Sequence, residues 1–150
     1  MLPFRSQPPP PLLSEGYTLL VDPYPGADAL NRVLVASGER ARDPGRWQRV
    51  LERSIWHLGV VNPAGELVGF VRATSDLALN ANLWDLSADP AEPEQAQLML
   101  VLVHTAVGRL RRELPGCSIS VAAPPAAQEA LRRHGFVLDP GGIRAMGLRL

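Results

Sequence analysis

The fold is decided by one stretch, NLWDLSADPAEPEQAQL, which spans residues 82–98. Its first part, residues 82–88, is an apolar run of strand length. From Leu98 to Leu114 the apolar residues then recur at helical spacing. The stretch therefore predicts a strand, a short loop and a long helix. The first N–H groups of such a helix point outward and form a ready site for an anion.

The loop between this strand and this helix lacks glycine, although a backbone that approaches a phosphate closely needs it. Pro93 has no N–H to donate, and Glu92 and Glu94 add negative charge. Two interpretations are open. One is a phosphate cradle with altered residues. The other is an ordinary helix start, with acids near its N-terminus and Leu98 turned into the core.

Outward from this stretch, the pattern predicts the order β-α-α-β-β-β-α-β-α-β-β. The predicted strands are 17–21, 55–61, 67–72, 82–88, 117–121, 136–138 and 145–150, and the predicted helices begin near Ala29, Pro44, Leu98 and Pro124. Residues 1–15 are expected to be a flexible proline-rich leader, and residues 16–150 a single domain. The run Pro8–Pro11 is either an unstructured leader or a docking arm for a partner.

Composition narrows the class of protein. The 150 residues carry no net charge, so neither a nucleic-acid partner nor a membrane surface is indicated. All basic residues are arginine. Cys117 is the single cysteine, which fits a reducing compartment, and no signal peptide is recognised at the start. A cytoplasmic location is expected.

No metal site is predicted. His57, His104 and His134 match no ligand spacing, and a lone histidine in such places is usually structural. Two basic clusters, Arg109 with Arg111 and Arg112, and Arg132 with Arg133, are either solvated helix ends or a site for an acidic partner or a phosphate.

Three segments then occur in a recognisable order. They are GELVGFVRATSD at 65–76, ALNANLWDL at 78–86, and HGF at 134–136 with DPGGIRAM at 139–146. Together they resemble the GNAT superfamily of acetyl-CoA-dependent N-acetyltransferases. The branch most similar is that of cyanobacteria and plastids, which acetylates protein lysines and arylalkylamines such as serotonin. Over residues 16–150 the resemblance implies an α/β (α+β) GNAT fold. Its mixed, mostly antiparallel central sheet would have six to seven strands flanked by about four helices.

The resemblance also implies where a coenzyme would bind. The pantetheine arm would lie along the backbone of Leu86, Ser87 and Ala88, and the diphosphate against Glu94, Gln95, Ala96, Gln97 and Leu98. The family motif at this loop is Gln or Arg, two residues, Gly, one residue, then Gly or Ala. That register falls on Pro93, Ala96 and Leu98, so the cradle departs from the family pattern.

Catalytic positions depart as well. The tyrosine that protonates the leaving thiolate falls on Leu131, which cannot donate a proton. Cys117 or an ordered water could replace it. An asparagine that contacts pantetheine falls on Pro124. Asp85 stands where related enzymes place a carboxylate that deprotonates the amine, and burial beside Trp84 would favour that role. The alternative is a strand carboxylate bonded to nearby backbone.

Two functions follow from the resemblance. The first is transfer of acetyl from acetyl-CoA to an amine, either a protein lysine or N-terminus or a small arylalkylamine. The second is a catalytically silent pseudo-acetyltransferase that binds a protein partner or senses a metabolite. The sequence does not predict the oligomeric state.

Overall fold

The computed structural model describes residues 9–150. These residues form five strands and four α-helices. In chain order they are β1 (Thr18–Val21), α1 (Ala27–Ala36), α2 (Pro44–Arg53), β2 (Trp56–Val61), β3 (Leu67–Ser75), β4 (Asn80–Ala88), α3 (Gln95–Glu113), β5 (Ser118–Val121) and α4 (Gln128–Arg133). Short 3₁₀ turns occupy Pro125–Ala127 and Pro140–Gly142.

The strands form one sheet in the order β1-β2-β3-β4-β5. The first four are antiparallel neighbours, whereas β5 runs parallel to β4 because α3 returns the chain to the same end of the sheet. The predicted α/β class, the mixed and mostly antiparallel sheet and the four helices are confirmed.

The predicted number of strands is wrong, since the sheet has five strands within residues 9–150 rather than six or seven. The strands expected at 136–138 and 145–150 do not form. Asp139 has a positive φ of 44° and leads into the turn Pro140–Gly142, which bends the chain away. An apolar run becomes a strand only where a neighbouring edge pairs with it, and β5 offers just four residues.

Apolar side chains cover both faces of the sheet. On one face, α3 and α4 pack over residues such as Leu58, Val71 and Leu83, and on the other, α1 and α2 pack over Phe70. The eight buried residues of α3 are Leu98, Met99, Val101, Leu102, Val103, Ala106, Val107 and Leu110. Gly69 permits this close approach, because a Cβ there would lie 3.1 Å from a methyl of Leu102.

A β-bulge in β4 separates two registers of the pairing between β3 and β4. Phe70 pairs with Ser87 and Arg72 with Trp84, so Asp85 and Leu86 together oppose a single residue of β3. Asp85 takes up the bulge with a φ of +56°, which aspartate tolerates better than most residues. On the other side of β4, pairing with β5 ends at Leu83, opposite Val121. The last part of β4 therefore leaves its neighbour and opens a cleft.

The described part of the expected leader contacts the domain. Leu13 packs against the core, and the side-chain amide of Gln97 donates to the carbonyl of Leu12 at 2.7 Å. Residues 1–8 of the leader, including Pro8, lie outside the described residues, so the boundary at residue 15 stays a prediction. In the described chain, none of the helices combines the length and apolar character needed to cross a bilayer.

Candidate active site

The cleft beside β4 is a narrow, mostly apolar opening of about 240 Å³. Its walls come from the end of α1, the last residues of β4, α3 and the turn before α4, and they include Ser37, Leu86, Ala88, Met99 and Pro125. Four of the expected coenzyme residues therefore line one opening: Leu86, Ser87, Ala88 and Gln95.

The carbonyl of Ala88 points into this cleft and away from β3. It accepts hydrogen bonds from the side-chain amide of Gln95 at 3.1 Å and from the hydroxyl of Ser37 at 3.4 Å. The side chains of Gln95 and Ser37 thus make the hydrogen bonds that a neighbouring strand makes elsewhere in the sheet. A ligand with its own N–H could take the same acceptor by displacing Gln95.

The start of α3 offers free donors at the mouth of the cleft. Gln95 N–H donates to the carbonyl of Glu92, and Leu98 N–H donates to the carbonyl of Glu94. Within residues 9–150, the N–H groups of Ala96 and Gln97 donate to no protein acceptor. Two orphan donors at the positive end of a 19-residue helix suit an anion.

Glu92 is directed away from these donors. Its carboxylate accepts from the hydroxyl of Tyr17 and from the side-chain amide of Asn62, so it is held against the far end of β1 and β2. The hydrogen bond to Glu92 raises the pKa of Tyr17 above its usual value of 10, and partial burial and the charges of Glu92 and Glu94 add to the effect. The carboxylate of Glu92 therefore stabilises the fold and does not face a ligand at the start of α3.

Two leucines stand at positions where the sequence departs from the family pattern, and both lie in the core. Leu98 is 1% exposed and Leu131 is 2% exposed. Leu98 therefore does not fill the space in front of the helix. Leu131 presents no proton donor. Cys117 does not replace it, because it precedes the residue paired with Asn80, roughly 25 Å along β4 from Ala88.

Asp85, at the bulge, is bound by two arginines. Its Oδ2 lies 2.6 Å from Nε of Arg72 and its Oδ1 lies 2.9 Å from Nη2 of Arg42, with the carboxylate side chain only 5% exposed. Arg42 belongs to the loop between α1 and α2, so the pair joins that loop to the sheet. Trp84 is 41% exposed and turns outward, where its indole donates to Thr74. The expected base thus has both oxygens engaged.

A second opening lies on the side of the sheet covered by α2. We call this opening of about 540 Å³ the arginine groove; it is lined by Arg46, Arg49, Val50, Arg53, Arg72 and Thr74. Arg72 belongs both to the groove and to the ion pair with Asp85. Sequence reasoning missed this cluster, although Arg46, Arg49 and Arg53 share one helix face at spacings of three and four.

The three histidines make polar contacts within the protein through their ring nitrogens. His57 contacts the carbonyl of Pro23 through Nε2, and His104 contacts His134 at 3.1 Å between ring nitrogens. His134 is fixed in turn by the carbonyl of Ala130 at 2.8 Å. Among residues 9–150, no group of three or more metal-ligating side chains comes together.

The pair of His104 and His134 predicts a pH-dependent stability. Burial lowers the pKa of His104, and the charges of His134 and Arg111 lower it further. The unfolded chain then binds more protons than the folded one, so the stabilisation is complete above about pH 6.5 and is lost as the pH falls below it. We expect the melting temperature of His104→Gln to depend less on pH between neutrality and about pH 5 than that of the parent protein. Equal slopes in thermal unfolding would contradict this role of His104.

Comparison with solved structures shows which proteins share this fold. The solved structures that share the fold include the protein SA2161 from methicillin-resistant Staphylococcus aureus, with a TM-score of 0.76 at 13% identity over 89% of this chain and 100% of that one. They also include YhbS from Escherichia coli, a GNAT family N-acetyltransferase solved with CoA, with a TM-score of 0.63 at 18% identity over 86% of this chain and 73% of that one. This chain thus shares the fold of these two proteins.

Sequence similarity leads in the same direction. Serotonin N-acetyltransferase 2, a chloroplastic protein of rice (Oryza sativa subsp. japonica), is 33% identical over 124 residues, which are 79% of this chain and 60% of that protein. The N-acetyltransferase ycf52 of Pyropia yezoensis is 35% identical over 81 residues, 54% of this chain and 45% of that protein. No family model matches the sequence. The matches span about half the length of these curated relatives. In fold and in sequence the chain is thus similar to N-acetyltransferases of the GNAT superfamily, and its relatives by sequence include plastid proteins.

Proposed function

We propose that the protein transfers an acetyl group from acetyl-CoA to an amine. The observation that carries the proposal is the cleft beside the bulge of β4, together with the free N–H groups of Ala96 and Gln97 at its mouth. An apolar slot with an outward carbonyl suits the pantetheine arm, and two orphan donors suit a diphosphate. YhbS, which shares the fold, was solved with CoA.

The residues that would hold the coenzyme are mostly backbone groups. Leu86 and Ala88 would form strand-like hydrogen bonds with the amides of the arm, once the side chain of Gln95 releases the carbonyl of Ala88. Ala96 and Gln97 would donate to the diphosphate. The thioester of the bound coenzyme supplies an activated acetyl group. A backbone N–H of the β4 edge between Leu86 and Ala88 would polarise its carbonyl.

We assign Asp85 to positioning rather than to proton abstraction. Both of its oxygens are bound by guanidinium groups, so its negative charge is already balanced. It holds the bulge and fixes Arg72 in the arginine groove. Deprotonation of the amine would then fall to water. This assignment differs from the expectation that Asp85 acts as the base, and that expectation stays a prediction.

Turnover is expected to be slow, because Leu131 stands at the position that the family resemblance gives to the general acid. General acid catalysis contributes about 10²- to 10⁴-fold to a rate, and Leu131 removes it from this position. That observation also favours a second candidate, a silent acetyltransferase fold that binds a metabolite or a protein. The two candidates differ in acetyl transfer; only the silent one could do without coenzyme binding, if its partner is a protein.

Binding can be tested by thermal unfolding with acetyl-CoA. A ligand at about one hundred times its Kd adds roughly 2.7 kcal/mol to the free energy of unfolding. For a chain of this size the melting temperature should rise by several degrees. The variant Ala126→Trp places a large ring at the wall of the cleft and should abolish the shift. Ala122→Trp, also exposed but outside the cleft, should retain it.

The outcomes separate the candidates. A shift that Ala126→Trp abolishes, with thiol release when amines are added, supports the transferase. The same shift without thiol release supports the silent binder. An unchanged melting temperature in the parent protein contradicts coenzyme binding. The domain boundary at residue 16 and the cytoplasmic location stay predictions, and the rice relative is chloroplastic by name.

A further inference from the structure

The arginine groove concentrates positive charge in a chain that carries no net charge. Arg46, Arg49 and Arg53 lie along one face of α2, and Arg72 faces them from β3. Like charges three or four residues apart on a helix destabilise it by a few tenths of a kcal/mol per pair. Such a stripe is unfavourable by itself, and an anion that binds across it would relieve the repulsion.

Protein carboxylates do not neutralise the stripe. Arg46 approaches Asp43 at 3.8 Å, but both side chains are more than half exposed, so the pair contributes little. Arg49 and Arg53 form no ion pair with any carboxylate of residues 9–150. The nearest acid on the same helix, Glu52, accepts a hydrogen bond from Gln48 instead. At least two guanidinium groups of the groove are therefore free for a ligand.

The groove also continues to the proposed reaction centre. Arg72 lines the groove and binds Asp85, which occupies the bulge immediately before the cleft residue Leu86. Thr74 accepts from the indole of Trp84 at 2.7 Å, so its own O–H remains available to donate into the groove. A molecule seated here would have one end among guanidinium groups and the other directed to the bulge.

We propose that the arginine groove binds the acceptor by an anionic group, and that the acceptor is a small primary amine that carries a phosphate or a carboxylate. This inference rests on the proposed function, because it names the substrate class of the same site. Guanidinium groups bind carboxylates and phosphates through paired N–H donors, which gives both affinity and orientation. The volume of about 540 Å³ is large enough to hold a small molecule of this kind.

Binding is tested first, on the protein without acetyl-CoA. Calorimetric titration would compare O-phosphoethanolamine with ethanolamine, and γ-aminobutyrate with n-butylamine. We expect at least one of the two amines that carry an anionic group to bind at millimolar concentration, and its counterpart without that group to bind about tenfold more weakly or worse. The double variant Arg49→Gln/Arg53→Gln should weaken the anionic amine about tenfold, since each lost charge-assisted hydrogen bond is substantial.

A matched control removes the same charge elsewhere. Arg111→Gln/Arg112→Gln lies on exposed positions at the end of α3 and should leave binding unchanged. Equal weakening by both double variants would show a general charge effect and overturn the proposal. The proposal would also be overturned if the amines without an anionic group bound as tightly as those that carry one, or if neither amine with an anionic group bound.

Further results separate the anion site in the arginine groove from the proposed transferase function. If polyglutamate binds far more tightly than the small amines, the groove is a protein-binding surface and the proposal fails. If the anionic amine binds through Arg49 and Arg53 but is not acetylated in the presence of acetyl-CoA, the anion site is supported and the proposed transferase function fails instead. Acetylation of the anionic amine, with a KM that rises in the Arg49→Gln/Arg53→Gln variant, supports both.

Discussion

Replacing Leu98 with glycine is expected to destabilise the protein by about 3–6 kcal/mol rather than to restore a phosphate loop. Leu98 is 1% exposed and packs in the first turns of α3. Removing a buried leucine side chain costs about 2–5 kcal/mol, and glycine within a helix costs roughly 1 kcal/mol more. Chemical denaturation of the variant measures the loss directly.

The control for this prediction is Ala96→Gly, at the other altered position of the family motif. Ala96 is exposed in the first turn of α3, so the loss should be about 1 kcal/mol or less. If Leu98→Gly were as stable as Ala96→Gly and bound acetyl-CoA more tightly, Leu98 would have to face the ligand, contrary to its buried position.

Removing the carboxylate of Asp85 is the second change with a large expected effect. Asp85→Ala leaves the guanidinium of Arg72, whose side chain is 14% exposed, without its partner. Breaking a buried ion pair on one side costs about 3–5 kcal/mol. We expect a value near the lower end, because Arg42 is 45% exposed and can turn into water. Alanine also tolerates the positive φ of 56° less well than aspartate.

Variants of Arg42 and Arg72 show how much each arginine contributes to the stability lost in Asp85→Ala. Arg42→Gln should cost about 1 kcal/mol or less, since half of its side chain already contacts water. Arg72→Gln should cost considerably more, because it leaves a buried carboxylate partly unpaired. Equal losses for both, measured by urea denaturation, would mean that burial does not set the strength of this network. An acetyl-CoA shift retained in Arg42→Gln would agree with a positioning role for the pair.

Much of the fold could be predicted because its signals are local. Apolar periodicity defined α3, and Pro44 after Asp43 gave the start of α2, where the Asp43 side chain accepts from the N–H of Gly45. The failed strands at 136–138 and 145–150 show the limit of such signals. Their composition suits a strand, but pairing depends on an edge and a path that the local sequence does not encode.

The site was predictable only in outline. The loop before α3 was located from its neighbours, yet the direction of Glu92 depends on Tyr17 and Asn62, which are remote in sequence. Asp85 was recognised by position, but its two arginines come from β3 and from the loop after α1. The spacing of Arg46, Arg49 and Arg53 was visible, whereas its proximity to Arg72 required the packing of α2 on the sheet.

The short strand β5 leaves its outer edge unpaired within residues 9–150, and exposed apolar side chains follow it at Val137, Leu138, Ile143 and Leu148. A protein with a pI near 6.8 has little charge at neutral pH to keep copies apart. An open strand edge next to exposed apolar side chains is the kind of surface on which copies of a chain pair. We therefore expect any self-association at high concentration to begin at β5, and to weaken when the buffer pH is moved away from the pI, because net charge keeps copies apart.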